Sequence, residues 1–384
     1  MKQKYRAAIV GAGSIGNAHM EGYRLIEGID VVAVVDPYEP ARKTYIDQYE
    51  IPNGYSNVLE MLEQEKPDIV SVCTWHLLHS KQTIEIANSP GIKGIICEKP
   101  MAISMGEAKQ MMERSDSNGV KLVIAHQRRF TPGWEKAREM VNEGLIGNPI
   151  RAELRVKDGL LNWGTHSIDG ARFILNDPQA QWVIGSIDRH TNRYERDVPI
   201  EDASIGLIHL ESNTQIFIQS DLWDINSDAG KFFIYGTDGM INITETKIQL
   251  FNSTTNGWKN IRLKISKNDI PIGGNTNASQ VRELIHWIEG GAEHRGSAKR
   301  ALDTLEIIMA IYESARRNQV ITLPFEANKY PLEQMIEEKL VHLKETKRYD
   351  IRSFLKRDGI DEQKYTILRK KGMGHEDVMR KLNS

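Results

Sequence analysis

The sequence has little cysteine and no long apolar run. Its 384 residues include two cysteines, too few for a disulfide scaffold, and such scarcity is typical of proteins from a reducing compartment. No apolar run approaches the roughly 18 residues that a helix needs to cross a bilayer. No signal-peptide core precedes the first strand-like segment. We therefore expect a cytoplasmic protein with no membrane partner.

An excess of charge of one sign is also absent. Fifty Lys and Arg against 52 Asp and Glu give a net charge of −2, so the chain lacks the basic surface that nucleic-acid binding requires. Its 11 histidines show neither an H-x-x-x-H pair nor a Cys/His spacing that would predict zinc. We expect no nucleic-acid partner and no metal.

The chain does contain 40% hydrophobic residues, enough for two or three domains with sizeable cores. Over residues 1–125, short β-branched runs alternate with helical patterns, which is typical of a parallel sheet covered by helices on both faces. The predicted strands are residues 7–10, 31–35, 69–73, 94–97 and 121–125. We therefore predict the α/β class, with an N-terminal doubly wound Rossmann sheet.

The pattern changes after residue 125. Over residues 126–330, alternating segments separated by turn residues predict an antiparallel sheet with accompanying helices, and thus a second, α+β domain. Residues 331–384 are charged and helical in pattern, so we predict a helical C-terminal tail with one apolar stripe. This stripe consists of Leu332, Met335, Ile336, Leu340 and Leu343. It could pack on its own domain or on a partner subunit.

A glycine fingerprint follows the first predicted strand and opens the first predicted helix. In Gly11-Ala12-Gly13-Ser14-Ile15-Gly16, the first glycine permits a tight turn, the second lets the backbone approach a pyrophosphate, and the third lets helix pack on strand. The N-terminus of the helix would hold the phosphate charge. The alternative is a glycine-rich turn without a ligand.

Asp36 lies 20 positions beyond the last glycine of the fingerprint, at the end of the second predicted strand. Its carboxylate can accept hydrogen bonds from the ribose hydroxyls and would repel a 2′-phosphate. This position favours NAD over NADP as the cofactor. The alternative is an unrelated surface aspartate.

Glu98-Lys99-Pro100 follows a predicted strand, at the edge where doubly wound sheets bind their ligands. Pro100 favours an extended backbone at Lys99, which helps to orient the side chain. The ammonium could polarise a substrate oxygen, or share in proton transfer if burial lowers its pKa. The alternative is a solvated lysine at a strand end.

A second polar cluster lies on a predicted helix over residues 162–175. Asn162, His166 and Asp169 are spaced i, i+4 and i+7, so they share one helical face. His166 could accept a proton. If Asn162 caps the helix, His166 lies in the first turn, where the helix dipole disfavours its charged form. The alternative is a cap, a core histidine and a surface aspartate.

Together these motifs resemble the Gfo/Idh/MocA family of NAD(P)-dependent oxidoreductases, which act on sugars, cyclitols and related polyols. The resemblance covers about residues 5–325, and it rests also on two further segments. These are Cys73-Thr74-Trp75-His76-Leu77-Leu78-His79 and Gln127-Arg128-Arg129-Phe130. The family pairs a Rossmann domain with a domain built on a large, mostly antiparallel sheet, and the resemblance implies that fold here.

The resemblance also implies roles for residues. Lys99 matches the family's catalytic lysine and His166 its catalytic histidine, while Asn162 replaces a frequent aspartate, so proton transfer would depend more on Lys99. With the fingerprint and Asp36, the residues predicted to bind the cofactor are Gly11, Gly13, Ser14, Ile15, Gly16, Asp36, Thr74, Trp75, His76, His79, Glu98 and Lys99. Those predicted to bind the substrate are Lys99, Gln127, Arg129, Trp163, His166 and Asp169. Trp163 would stack on a sugar ring or pack in the core.

Three hypotheses of function follow. The first is a dehydrogenase that moves a hydride between NAD and a C–OH of a sugar or cyclitol, with Lys99 and His166 handling the proton. The second uses the same site without net redox, since transient oxidation acidifies a neighbouring C–H and permits glycoside elimination or epimerisation. The third is a non-catalytic NAD-binding sensor. We also expect a homo-oligomer, a dimer or a tetramer, and we expect Cys73 and Cys97 to be buried thiols rather than a redox pair.

Overall fold

The first domain contains one parallel sheet of six strands. The structure, a computed structural model, describes residues 4–222 and 232–383. The strands are β1 (Tyr5–Val10), β2 (Ile29–Val35), β3 (Asn53–Tyr55), β4 (Ile69–Val72), β5 (Gly94–Cys97) and β6 (Lys121–Ile124). Their order is β3-β2-β1-β4-β5-β6, so the winding reverses between β1 and β4, the position where such sheets bind ligands. The predicted Rossmann sheet is confirmed, and only the short edge strand β3 was not predicted.

Five helices connect these strands. They are α1 (Ser14–Arg24), α2 (Glu39–Tyr49), α3 (Val58–Glu65), α4 (His76–Ala87) and α5 (Met105–Ser117). The side chains of Asn57 and Ser104 cap α3 and α5 by accepting hydrogen bonds from backbone N–H groups. By contrast, α1 starts after Gly13 without a side-chain cap. The N–H groups of its first turn are therefore left for another acceptor.

The second domain is built on a nine-stranded sheet. Its strands are β7 (Pro149–Val156), β8 (Ala180–Asp188), β11 (Ala203–Leu210), β12 (Gln215–Ser220), β13 (Phe232–Gly236), β14 (Gly239–Ile243), β15 (Ile248–Asn252), β16 (Lys259–Ile261) and β17 (Ile321–Thr322). Their order is β16-β15-β14-β13-β7-β12-β11-β8-β17. The described strands pair antiparallel except β7 and β12, which run parallel. This confirms the large, mostly antiparallel sheet.

Helices cover one face of the large sheet. They are α6 (Pro132–Asn142), α7 (Thr165–Ile174) and α9 (Ala298–Arg317). Alternate residues of β11 and β12 are buried, which is the pattern expected when one face packs on helices. A Cβ on Gly185 or Gly206 would come within 2.6 Å of the Ile311 side chain, so these glycines let α9 lie close to the sheet.

The two domains are joined through their cores. Met105 and Ala108 of α5 belong to the same buried cluster as Ile307 and Ile308 of α9. A further helix, α8 (Gly274–Ile288), packs on α1, and its buried residues Val281 and Leu284 complete the core of the first domain. The helix therefore lies with the first domain, although its sequence position is inside the segment 126–330.

The C-terminal segment contains α10 (Pro331–Glu337), β18 (Glu345–Asp350), α11 (Glu362–Lys370) and α12 (His375–Leu382). The strand β18 pairs in parallel with β9 (Thr191–Glu195), which pairs with β10 (Val198–Pro199). The prediction of an all-helical tail missed this strand. None of the helices in the described ranges is both long and apolar enough to span a membrane.

Only the first residues of the predicted apolar stripe lie on one helix. Leu332 and Met335 lie on α10 and are buried in the main core, beside Tyr330. The helix ends before Lys339, whose φ of 59° is incompatible with a continuing helix. Leu340 lies beyond this end and is 49% exposed. Of the two alternatives, the first half of the stripe packs on its own chain.

The difference between the two leucines can be measured. Leu332→Ala should lower the free energy of unfolding by roughly 2–5 kcal/mol, because it leaves a cavity in the core. Leu340→Ala should change it by no more than about 0.5 kcal/mol, because that side chain is largely solvated. Urea unfolding followed by fluorescence would compare them. Equal effects of the two variants would contradict the docking of α10.

Candidate active site

A cleft of about 570 Å³ lies at the carboxyl edge of the parallel sheet, within the range of small-molecule sites. The glycine turn after β1 and the ends of β2, β4 and β5 form one part of its wall. The start of α7, the segment after β6 and the C-terminal segment form the rest. Of the predicted site residues, it is lined by Gly13, Ser14, Ile15, Asp36, Thr74, Trp75, Glu98, Lys99, Gln127, Trp163 and His166.

The glycine turn leaves room for a ligand at only one of its glycines. Gly11 has φ 105°, and a Cβ on it would lie 2.7 Å from the Cys73 carbonyl oxygen. A Cβ on Gly16 would lie 2.2 Å from the Gly11 oxygen. These two glycines therefore serve packing, whereas nothing lies within 4 Å of a Cβ on Gly13. With the uncapped start of α1, this open space fits a phosphate group, as a dinucleotide requires.

The carboxylate of Asp36 is held in place at this end of the cleft. Its Oδ2 accepts a hydrogen bond from the Ala12 N–H at 2.9 Å, and its Oδ1 accepts one from the Tyr38 N–H at 2.9 Å. The nearest arginine, Arg42, donates to the backbone carbonyl of Asp36. A fixed carboxylate beside the glycine turn fits a ribose diol.

Glu98 is a buried carboxylate that orients its neighbours. It accepts hydrogen bonds from Gln127 Nε2 at 2.5 Å and from the Lys99 N–H at 3.2 Å, and it pairs with His19 Nε2 at 3.0 Å. Burial by itself would raise the pKa of Glu98, but the hydrogen bond and charge of His19 hold it below its usual value. Glu98 therefore remains ionised and positions Gln127 and the Lys99 backbone.

The amine of Lys99 is buried beside neutral oxygens. Its Nζ donates to the Asn162 side-chain Oδ1 at 3.0 Å and to the Asn162 carbonyl at 3.2 Å. Burial and the positive charge of Arg196 lower the pKa of Lys99 to about 8, although Glu98 and Glu195 act in the opposite direction. A lysine with this pKa can gain or lose a proton near neutral pH.

His166 lies in the first turn of α7 and faces the same cleft. Burial, followed by the positive charges of Lys99 and Arg128, holds the pKa of His166 well below its usual value. Its Nδ1 is buried and has no hydrogen-bond partner among the described residues. The imidazole is thus neutral and able to accept a proton, but the main cause is burial rather than the helix dipole.

Asn162 does not cap the helix, a possibility that the sequence left open. A π-helical turn, Leu160–Gly164, precedes α7, and the cap position belongs to Gly164, without a side-chain hydrogen bond. Because Asn162 is in the wider turn, its side chain is free to bind Lys99. The structure therefore brings Asn162 and His166 to Lys99, but it does not bring Asp169 there.

Arg129 and Asp169 were predicted to bind the substrate, but neither of them lines the cleft. Arg129 is fully buried and donates to both carboxylate oxygens of Asp169, at 2.7 and 2.8 Å. It also donates to Asp177, at 2.8 and 3.1 Å. With its donors occupied by two carboxylates and the Arg295 carbonyl, Arg129 is a structural residue, and we withdraw the substrate-binding role of this pair.

The neighbouring Arg128 lines the cleft instead. Its guanidinium lies 4.9 Å from the centroid of the Trp163 ring and pairs with Glu245 at 3.1 Å. The two arginines lie on the short 3₁₀ helix Gln127–Phe130, where consecutive side chains point in different directions. No feature of the sequence distinguishes the inward-facing arginine from the one that lines the cleft.

His76 and His79 also lie outside the cleft, contrary to prediction. The ring nitrogens of His79 are 2.8 Å from the Pro100 carbonyl and 3.1 Å from the Thr74 carbonyl. His79 thus ties the segment after β4 to the segment after β5. His76 is buried, with Nδ1 3.6 Å from Glu195. Thr74 and Trp75, which lie next to these histidines, do line the cleft.

Several residues of the cleft were not predicted. Arg196 comes from the β9–β10 turn, and Leu355, Lys356, Arg357 and His375 come from the C-terminal segment. They have no recognisable motif, and the four C-terminal residues belong to a segment that is attached by the pairing of β18 with β9. Cys73 and Cys97 are buried free thiols. In the described ranges, no group of three or more His, Cys, Asp or Glu side chains is placed to hold a metal ion.

Comparisons with known proteins agree with this architecture. Residues 5–126 match the Gfo/Idh/MocA family described as "Oxidoreductase family, NAD-binding Rossmann fold", and residues 157–323 match its "C-terminal alpha/beta domain". The chain is 23% identical to D-apiose dehydrogenase of Paraburkholderia graminis, over 84% of this chain and 90% of that one. It is 27% identical to myo-inositol 2-dehydrogenase of Thermotoga maritima, over 64% and 78%.

A solved structure shares the fold. The WlbA dehydrogenase of Bordetella pertussis, in complex with NADH and UDP-GlcNAcA, superposes with a TM-score of 0.70 at 21% identity. The match covers 85% of this chain and 98% of that one. The fold and the predicted NAD-binding character of the first domain are confirmed.

Proposed function

Because the chain belongs to the Gfo/Idh/MocA family of oxidoreductases, we propose that it transfers a hydride between NAD and a secondary hydroxyl or carbonyl of a sugar, sugar derivative or cyclitol. The observation that carries this proposal is the meeting of Lys99 and His166 in the cleft that also contains the Gly13 turn and Asp36. Bound NAD would supply the hydride acceptor or donor.

The residues available to hold the cofactor follow from the geometry. The open backbone at Gly13 and Ser14 would bind the diphosphate, and the fixed carboxylate of Asp36 would bind the ribose hydroxyls. Thr74 and Trp75 would line the nicotinamide end, near Lys99. Gly11 and Gly16 would support the turn without contacting the ligand.

Lys99 and His166 would share the proton of the reacting hydroxyl. Lys99 is near its own pKa at neutral pH and can donate to, or accept from, the substrate oxygen. His166 is held neutral, so a proton resting on its ring is disfavoured; we propose that it accepts a hydrogen bond from the reacting hydroxyl and passes the proton on without storing it. Asn162 holds Lys99 with neutral oxygens, so that its pKa remains lower than a carboxylate partner would allow.

The substrate class is proposed from the side of the cleft next to these groups. Trp163 and Arg128 form a stacked pair there, and Gln127 provides an amide. A flat indole beside polar donors suits a polyol ring, whose C–H face packs on an aromatic while its hydroxyls form hydrogen bonds. We assign substrate contacts to Arg128 in place of Arg129. We also propose a cytoplasmic location, on the basis of the two free thiols.

Removal of the amine tests the catalytic role. Lys99→Ala should lower kcat by about 10²- to 10⁴-fold, because a proton-transfer group is lost, while NADH binding stays within about twofold of the unaltered protein. The assay is a screen of sugars, inositols and sugar acids with NAD, followed at 340 nm, with NADH affinity measured separately by fluorescence. Lys81→Ala, an exposed lysine of α4, is the matched control.

Two results would overturn these assignments. Near-normal kcat in Lys99→Ala would exclude Lys99 as the proton-transfer group. Product formation without accumulation of reduced nicotinamide would replace the dehydrogenase with the redox-neutral alternative, that is, elimination or epimerisation at the same site.

The pH dependence should respond to Asn162. Oxidation needs neutral Lys99 to take up the proton, so kcat/KM for oxidation should rise with pH through a midpoint near the Lys99 pKa of about 8. Asn162→Asp places a negative charge about 3 Å from Nζ, stabilises the ammonium and should raise the midpoint by roughly 1–3 pH units. Asn162→Ala removes an acceptor of the charged form and should lower it. Shifts in the same direction in both variants would contradict this account.

We further propose a homo-oligomer, a dimer or a tetramer, formed through the uncovered face of the large sheet. Leu207 on β11 lies opposite Ile184 of β8 and Phe217 of β12, and all three point away from the helices because their chain neighbours are buried or pack on α9. A continuous apolar surface of this kind is typical of an interface.

The assembly can be tested by light scattering. Leu207→Asp should lower the molar mass in solution toward that of a single 43.7 kDa chain, because a charge in a buried interface is destabilising. Leu59→Asp, at an exposed apolar residue of α3, should leave the mass unchanged. A monomeric unaltered protein would refute the proposal.

A further inference from the structure

The C-terminal extension, residues 331–383, lies beyond both regions matched to the family. Its first helix, α10, packs into the main core, as described above. The remainder, from β18 onward, crosses back toward the first domain. This second part forms a small unit of its own, with Tyr365, Val378 and Met379 buried at its centre.

This small unit is attached to the second domain beside the cleft. The parallel pairing of β18 with β9 is reinforced by Arg348, which pairs with Asp197. Arg352 is 9% exposed and lies 3.3 Å from Asp158 and 3.4 Å from Glu376. Arg352 therefore connects the end of β18 both to the second domain and to the start of α12.

The unit also forms part of the cleft wall, on the side of Asp36 and Tyr38. Leu355, Lys356, Arg357 and His375 line the same cleft as Gly13 and Asp36. Arg357 and Glu362 lie close enough to Tyr38 for their charges to affect its pKa. The extension thus reaches the end of the cleft where the adenine ribose of a dinucleotide would be bound by Asp36.

The charged side chains on this wall differ in whether they are already paired within the protein or could bind a ligand. Arg357 is already used, since it donates to Glu362 at 2.7 and 3.0 Å and lies over the Tyr365 ring. Burial lowers the pKa of His375 to about 4, so it is neutral at physiological pH. Glu376 is paired with Arg352. Asp358 also lines the cleft and adds a negative charge to this wall. Lys356 is exposed, and its side chain has no hydrogen bond or ion pair among the described residues.

We propose that the C-terminal extension is a further wall of the dinucleotide site, in which Lys356 pairs with the cofactor's phosphate charge and the extension slows cofactor release. The inference rests on the proposed NAD site. The exposed ammonium of Lys356 lines the same cleft as the uncapped start of α1, and both positive charges favour a diphosphate.

Slow release has a consequence for the reaction class. An enzyme that retains its cofactor cannot exchange it at every turnover. Retention suits a balanced cycle in which the hydride and proton taken from the substrate C–OH are both returned to the product, with no second oxidant or reductant. The rate of NADH release therefore bears on the choice between the two reaction classes, and the dehydrogenase remains the proposed function unless release is slower than turnover.

The test measures cofactor release from the full chain, independently of turnover. In Lys356→Ala the dissociation rate of NADH, followed by stopped-flow fluorescence after mixing with excess NAD, should rise about three- to tenfold, and Lys356→Glu should raise it further. Lys371→Ala is the matched control, since this exposed lysine lies just after α11 and does not line the cleft. It should release NADH at the rate of the unaltered protein.

A second measurement needs no variant. NADH should slow tryptic cleavage after Lys356 and Arg357, since the cofactor would cover them, and should leave cleavage after Lys370 and Lys371 unchanged. Equal release rates in all three variants, or no protection by NADH, would overturn the inference. If the unaltered protein does not bind NADH at all, the proposed function itself fails. If NADH binds but Lys356 has no influence, only the role of the extension is wrong.

Discussion

The burial of the Lys99 amine against neutral acceptors is the constraint on which the chemistry of this site depends. An ammonium in a low-dielectric cleft is costly unless a carboxylate compensates it. The carboxylate of the adjacent Glu98 binds His19, Gln127 and a backbone N–H instead of the Lys99 amine. The amine therefore donates to the two oxygens of Asn162. The amine is therefore close to losing its proton, and its residual charge helps to keep His166 neutral. Burial is the main cause that lowers the pKa of both Lys99 and His166, and the charge of Lys99 adds to it at His166.

The architecture supplies this group from separate parts of the chain. Parallel strands end at one edge, so the segments after β1, β4 and β5 meet there without any motif linking them. Asn162 joins them because the π-helical turn before α7 shifts it toward Lys99. His79 contributes indirectly, since its ring lies between the carbonyls of two of these segments. Such supporting contacts explain why the cleft can be well defined although most of its wall is loop.

Much of this arrangement could be predicted from the sequence, and the failures have physical causes. The buried strands, the fingerprint and Lys99 were predictable because each depends on local pattern. Arg129 was not distinguishable from Arg128, since the direction of side chains on a single 3₁₀ turn is decided by distant partners, here Asp169 and Asp177. Asn162 does not cap α7 because it lies in a π-helical turn before the helix. A reading of the sequence at 3.6 residues per turn does not anticipate this wider turn. The extension carries no motif, so its place in the cleft depends on a strand pairing that only the fold reveals.

The buried charge cluster of Arg129 has a consequence for how the molecule can move. Arg129 links the segment after β6 to α7, to the turn at Asp177 and to the backbone at Arg295, and α5 and α9 share a core close by. Pulling these segments apart would separate carboxylates from their guanidinium in a dry environment, which is strongly unfavourable. Local opening should therefore be easier in the small sheet of β9, β10 and β18, where Arg348 and Asp197 form an exposed ion pair. The segment that carries residues 355–358 of the cleft wall could then open while the cluster around Arg129 stays closed.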